Sequence, residues 1–302
     1  MKRTTIQILV LFIFSIVIAG CQKLDDNLFN PNENKITEYQ LNNYKGEVDF
    51  KLPESYQISN DKVHLFTLES KAADEAEATT IHAVYIGDRQ RIATDTVIMY
   101  CHGNKDHMDF YWPRAQLLAN VNGKNNYGIL MIDYRGYGLS GGKPSEKALY
   151  VDVTTALAWL SSQGLTSNRL IMYGFSMGSI PATHLTAEPV NLKPEKLMLE
   201  APIASAKVMV QDATGLATPA AFVTDLKIDN VEMIKKVTQP LFWIHGTKDD
   251  FLNINTHGQL VFDNHKGSFK EAHKIAGAGH SNIPLEMGFQ NYLQVVGNFI
   301  RR

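Results

Sequence analysis

One stretch limits what this chain can fold into: Arg169-Leu170-Ile171-Met172-Tyr173-Gly174-Phe175-Ser176-Met177-Gly178. The run up to Tyr173 is apolar with no helical period, which reads as a strand buried on both faces. Ser179, Ile180, Pro181 and Ala182 then open a helix-like segment. A strand, a sharp turn and a helix in that order leave Ser176 at the apex. Gly174 and Gly178 leave room for neighbouring backbone, and the helix N-terminus points its N–H groups at the serine oxygen. Ser176 is therefore the candidate nucleophile. A second Gly-x-Ser-x-Gly, Gly138 to Gly142, lacks this setting. A glycine-broken turn, Asp133 to Tyr137, precedes Ser140, and Lys143-Pro144-Ser145-Glu146 follows it in place of an immediate helix.

A serine hydroxyl is a weak nucleophile at neutral pH, so it needs a base, and the base needs an orienting carboxylate. With a strand–serine–helix turn the chain order is Ser, acid, His. The acid is expected just past a late strand, where Phe242 to Ile244 runs into His245-Gly246-Thr247-Lys248-Asp249-Asp250. Spacing from the strand end favours Asp249 over Asp250. Glu200, past the preceding strand, is the runner-up and reads better as a structural carboxylate. The base is expected on a loop after the last strand. Gly277-Ala278-Gly279-His280 supplies it, and His280 alone of the ten histidines lies past the final strand in a glycine-rich loop. His257, in a helix-like stretch, and His245, at the head of a turn, read as structural.

The oxyanion of a tetrahedral intermediate wants two N–H donors. One is expected from the backbone of Met177. The other is expected from the loop after an early strand, Tyr100-Cys101-His102-Gly103-Asn104, where the Asn104 amide is the candidate. Cys101 reads as a buried core thiol. His102 to His107 comes one residue short of a His-x-His-x-Asp-His metal run, with Asn104 where a second histidine would stand. Asn is a poor zinc ligand, so neither a metal nor another cofactor is expected.

Around these motifs, short apolar runs alternate with helical patterns, which predicts an α/β fold with a mostly parallel central sheet covered by helices on both faces. Strands are expected at Val63 to Leu68, Ile81 to Ile86, Thr96 to Tyr100, Ile129 to Ile132, Leu197 to Leu199, Leu241 to Ile244 and His273 to Ile275. Helices are expected at Trp112 to Asn120, with Pro113 in the first turn, at Lys147 to Leu160 and at Phe289 to Ile300. Residues 203–236 exceed a simple crossover and read as a short lid insert, with Met209, Leu216, Phe222, Val223 and Met233 available to line an apolar pocket. The 302 residues suffice for one such domain, taken as 48–302. A net charge of -2 gives no basic excess for nucleic acid.

The N-terminus reads separately. Met1-Lys2-Arg3 is basic, and Ile6 to Ala19 is almost wholly apolar but shorter than the roughly 18–20 residues that span a bilayer. This is a signal peptide pattern over 1–20. Ile18-Ala19-Gly20-Cys21 resembles a bacterial lipobox, which makes Cys21 the expected lipidation site and the membrane a partner through a lipid anchor in a bacterial cell envelope. Residues 21–47 are polar and read as a tether. Within them, Gln22-Lys23-Leu24-Asp25-Asp26 resembles the signal that sends some Gram-negative lipoproteins to the cell surface.

Taken together, His102-Gly103-Asn104, Asp133 to Gly138, Gly141 to Glu146, Gly174 to Gly178, His245 to Asp249 and Gly277 to His280 resemble the α/β-hydrolase superfamily over nearly all of 48–302. The resemblance is strongest to the serine aminopeptidase and monoacylglycerol-lipase-like branch, near the α/β-hydrolase-domain protein depalmitoylases. It implies a cofactor-independent serine hydrolase acting on a small acyl ester, a thioester or a peptide. The rival readings are an amidase of the serine aminopeptidase type and a catalytically silent binding lipoprotein.

Overall fold

A computed structural model describes residues 29–31, 35–214 and 224–302. Eight strands form one sheet in the order β1-β2-β4-β3-β5-β6-β7-β8. They are β1 (Val63–Ser70), β2 (Thr79–Ile86), β3 (Val97–Cys101), β4 (Gly128–Ile132), β5 (Leu170–Phe175), β6 (Lys196–Glu200), β7 (Leu241–Gly246) and β8 (Lys270–Ile275). The β1–β2 hairpin and the β2–β4 pair are antiparallel, and every other pair is parallel.

The continuous apolar runs are strands covered on both sides. In β4, Leu130 and Ile132 enter one core cluster while Ile129 and Met131 enter the other. β3 splits the same way, with Val97, Met99 and Cys101 on one face and Ile98 and Tyr100 on the other. Each fully buried side chain of this size contributes roughly 1.5–3 kcal/mol. One face is covered by helices α1 (Met108–Ala119) and α8 (Phe289–Arg301). The other is covered by α2 (Glu146–Ser162), α3 (Ser179–Ala187) and α6 (Gly258–Asn264).

Two boundaries differ most from the sequence expectation. Helix α1 begins at Met108, so Pro113 sits in its second turn. Proline there removes one intrahelical bond. Burial of all twelve residues of α1 offsets that loss. In its first turn the Asp109 carboxylate accepts the backbone N–H groups of Gln40 and Leu41, a long-range contact that no local pattern announces. The same contact bears on the polar segment assigned to a tether. Residues 35–47 lie against the domain: Leu41 is buried, the Tyr39 hydroxyl donates to Asp133, and Trp112 Nε1 donates to Asn42. The packed chain therefore extends upstream of Val48. It is held there by hydrogen bonds more than by apolar area, and composition does not register those.

The insert between β6 and β7 carries α4 (Ala206–Thr214) and a one-turn α5 (Asn230–Met233). Of its apolar residues, Met209 is half-buried against the core. Leu216, Phe222 and Val223 lie outside the described residues, as do Cys21 and the expected signal peptide. Among the described residues no helix is long and apolar enough to cross a membrane. Helix α7 (Ile283–Met287) follows the loop carrying His280.

Candidate active site

Strand β5 stops at Phe175, and Ser176 takes φ +52°, one of six non-glycine residues with positive φ among those described. A residue held there costs on the order of 1–3 kcal/mol. The flanking glycines explain how the surroundings enforce it. A Cβ on Gly178 would sit 2.0 Å from the Cys101 carbonyl oxygen, and one on Gly174 would meet the Gly178 oxygen at 2.7 Å. The end of β3 therefore runs directly beneath the elbow, and α3 leaves it at once.

Three sequence-predicted side chains meet at this sheet edge. His280 Nε2 lies 2.9 Å from Ser176 Oγ, and His280 Nδ1 lies 2.7 Å from Asp249 Oδ2. Asp249 is held firmly. Its Oδ1 accepts the backbone N–H groups of Phe251 and Leu252, at 3.0 and 2.7 Å. Its Oδ2 also lies 3.0 Å from Nε2 of buried His245. Because that nitrogen faces the Leu252 carbonyl at 2.9 Å as well, it is the donor, and His245 Nδ1 accepts from Trp243. Burial raises the Asp249 carboxyl pKa, but hydrogen bonds from His245 and His280 outweigh it and hold the group well below the usual carboxylate range.

His245, read from the sequence as structural, thus positions the acid. Its one available signal is its place four residues before Asp249 at the end of β7. Asp250, the alternative acid, is exposed.

The two predicted oxyanion residues lie on the segments that flank Ser176. The Asn104 side-chain oxygen accepts from the Tyr137 hydroxyl at 2.6 Å and from the Asn30 backbone N–H at 2.8 Å. The same Tyr137 oxygen is 3.6 Å from Met177 Sδ, so one side chain touches both. The remaining candidates have other occupations. Ser140 donates to the Asp133 carbonyl and accepts from the His82 amide. His257 Nδ1 accepts from the Ala204 amide, and His257 Nε2 lies 3.4 Å from Asp212 on α4. His102 is stacked on Tyr111 and faces Asp133 at 3.2 Å. Cys101 is buried, which pushes its thiol pKa up.

Glu200 belongs to a buried ionic cluster below the site, and sequence reasoning did not find this cluster's centre. Arg114, on α1 and fully buried, pairs with Glu200 and Asp49. Its Nη2 donates to the Ser281 carbonyl at 2.9 Å, and its guanidinium lies 4.2 Å from the Phe175 ring centroid. One cation therefore touches the residue before the serine and the residue after the histidine. No sequence signal separates Arg114 from any other helix arginine.

The cavity in front of Ser176 measures about 510 Å³. Phe29, Phe110, Tyr111, Phe175 and Phe251 form its walls, with Lys105 and Asn30 at its polar side. None of its described lining residues comes from 203–236. Met209 lines a neighbouring groove that shares Phe251.

The sheet order, the elbow and the loops carrying Asp249 and His280 make this an α/β-hydrolase fold. Comparison with known proteins agrees. The sequence profile of the serine aminopeptidase family S33 matches residues 93–233. The human alpha/beta hydrolase domain-containing protein 17B is 29% identical over 205 residues, covering 67% of this chain and 65% of that protein. The chain thus spans just under two thirds of that relative's length. The Caenorhabditis elegans alpha/beta hydrolase domain-containing protein aho-3 is 29% identical over 263 residues, covering 82% of this chain and 74% of that protein. Among solved structures, an esterase of Pyrococcus furiosus superposes with a TM-score of 0.63 at 18% identity, covering 91% of this chain and 98% of its own. Est1E of Butyrivibrio proteoclasticus, solved with ferulic acid, gives 0.61 at 14% identity, covering 78% of this chain and 98% of its own. At these identities the structural likeness speaks to the fold alone.

Proposed function

We propose that this chain is a serine hydrolase that cleaves a carboxylic ester or thioester through an acyl-enzyme. The observation that carries the reading is the relay in which His280 stands 2.9 Å from Ser176 Oγ and 2.7 Å from Asp249 Oδ2. His280 Nε2 takes the serine proton as Oγ attacks the acyl carbonyl, and returns it to the departing alkoxide or thiolate. Asp249 keeps Nδ1 protonated and stabilises the imidazolium. The amides of Asn104 and Met177 hold the oxyanion. Water, deprotonated by the same imidazole, then releases the acid and restores Ser176. Cys21, if lipidated, ties this domain to a membrane of the bacterial envelope.

The family S33 match supports a second reading, an aminopeptidase. Such an enzyme must hold the substrate's α-ammonium, and a charge-assisted hydrogen bond of that kind is worth roughly 1.5–3 kcal/mol. The described lining of the cavity holds Lys105 and no carboxylate, which favours the ester. In a panel of p-nitrophenyl acyl esters and aminoacyl p-nitroanilides, kcat/KM is expected to favour the esters by roughly 10–100-fold or more. Turnover of the anilides alone would replace this reading with the peptidase.

A further inference from the structure

The walls of the cavity include two residues that arrive from far upstream. Phe29 lines it and packs against the core cluster that includes Met177. Asn30 pairs with Lys105 in a parallel bridge, and its backbone N–H donates to Asn104 Oδ1. Tyr137 donates to that same oxygen. An amide oxygen has two lone pairs, so these two donors saturate it and fix the Asn104 side chain. The Asn104 backbone N–H, one residue of the proposed oxyanion hole, is then fixed with it. Such a donor works only when it lies about 2.7–3.1 Å from where the oxyanion forms.

We propose that Phe29 and Asn30 are working parts of the acyl site, rather than the end of an inert tether. Asn30 is a positioning residue that acts through Asn104, and Phe29 is a specificity-determining wall for the acyl group. The inference rests on the serine hydrolase reading above. In the sequence, Phe29 follows the expected lipidation site, Cys21, by only eight residues.

The test uses the full chain with p-nitrophenyl acetate and p-nitrophenyl octanoate. Asn30→Pro removes the backbone donor together with the Asn30 side chain and is expected to lower kcat roughly 10-fold, less than the 10²–10³ lost with a whole oxyanion donor, with KM little changed, while Asn30→Ala, which keeps the N–H, is expected to lower kcat much less. Phe29→Ala is expected to raise KM for the octanoate about 10-fold and that for the acetate much less, the effect of one lost aromatic contact. These variants should melt within a few degrees of wild type. An unchanged kcat in Asn30→Pro, an unchanged KM ratio in Phe29→Ala, or losses that follow a fall in Tm would each overturn the proposal. Turnover surviving in Ser176→Ala would instead remove the hydrolase reading beneath it.

Discussion

Asp249→Asn is expected to lower kcat by about 10⁴ while the protein stays folded. Asp249 Oδ2 faces His280 Nδ1, so the carboxylate demands a proton on that nitrogen and leaves Nε2 bare toward Ser176. An asparagine can turn its own N–H groups to the same place. The imidazole then carries its proton on Nε2 and has no lone pair for the serine. His245, the second donor to this carboxylate, fixes its orientation but cannot supply the missing charge. Because the wild-type carboxyl is held well below its usual range, it remains ionised across the working pH. A loss of activity in mild acid is then not protonation of Asp249. Asp250→Asn, one residue on and exposed, is expected to keep kcat within about twofold. Equal losses in the two variants, measured by initial rates on a p-nitrophenyl ester, would return the choice of acid to its undecided state.

Arg114→Met carries the largest expected effect on stability. The guanidinium is the only cation paired with Asp49 and Glu200 among the described residues, and all three side chains are buried. Burial already lifts the Asp49 carboxyl to about 7 against the pull of Arg114. Removing one member of a buried ion pair costs roughly 3–5 kcal/mol, because the orphaned charge remains inside. For a chain of this size that is a fall in Tm of roughly 10 °C. Adding Glu200→Gln to Arg114→Met should restore part of the loss, since the second change removes one of the two carboxylates left without their cation. Thermal melts followed by circular dichroism measure both. A single variant that melts with the wild type would show that the cluster holds nothing together.

The side chains that meet at the candidate site were legible because their settings in the chain are local. Ser176 needs glycines on both sides and a helix behind it, and those neighbours are adjacent in the chain. Asp249 and His280 follow strand ends, which apolar runs mark clearly. The strands themselves were legible because burial on both faces removes polar residues from them. What escaped was held by contacts between distant segments. Arg114 joins α1 to Asp49, Glu200 and Ser281, none of them near it in sequence. Asn30 reaches Asn104 across 74 positions. The docking of residues 35–47 depends on backbone N–H groups finding Asp109, and a polar composition looks the same whether such groups meet a carboxylate or water. Local pattern has no access to that difference.

In the proposed mechanism His280 makes the Ser176 hydroxyl nucleophilic. The most direct measurement is covalent labelling with a fluorophosphonate probe, followed by mass mapping of the modified peptide. One adduct is expected, on Ser176, formed in the wild type and absent from Ser176→Ala, with labelling much slower in His280→Ala. An adduct on another residue, or labelling that proceeds unchanged without His280, would contradict it.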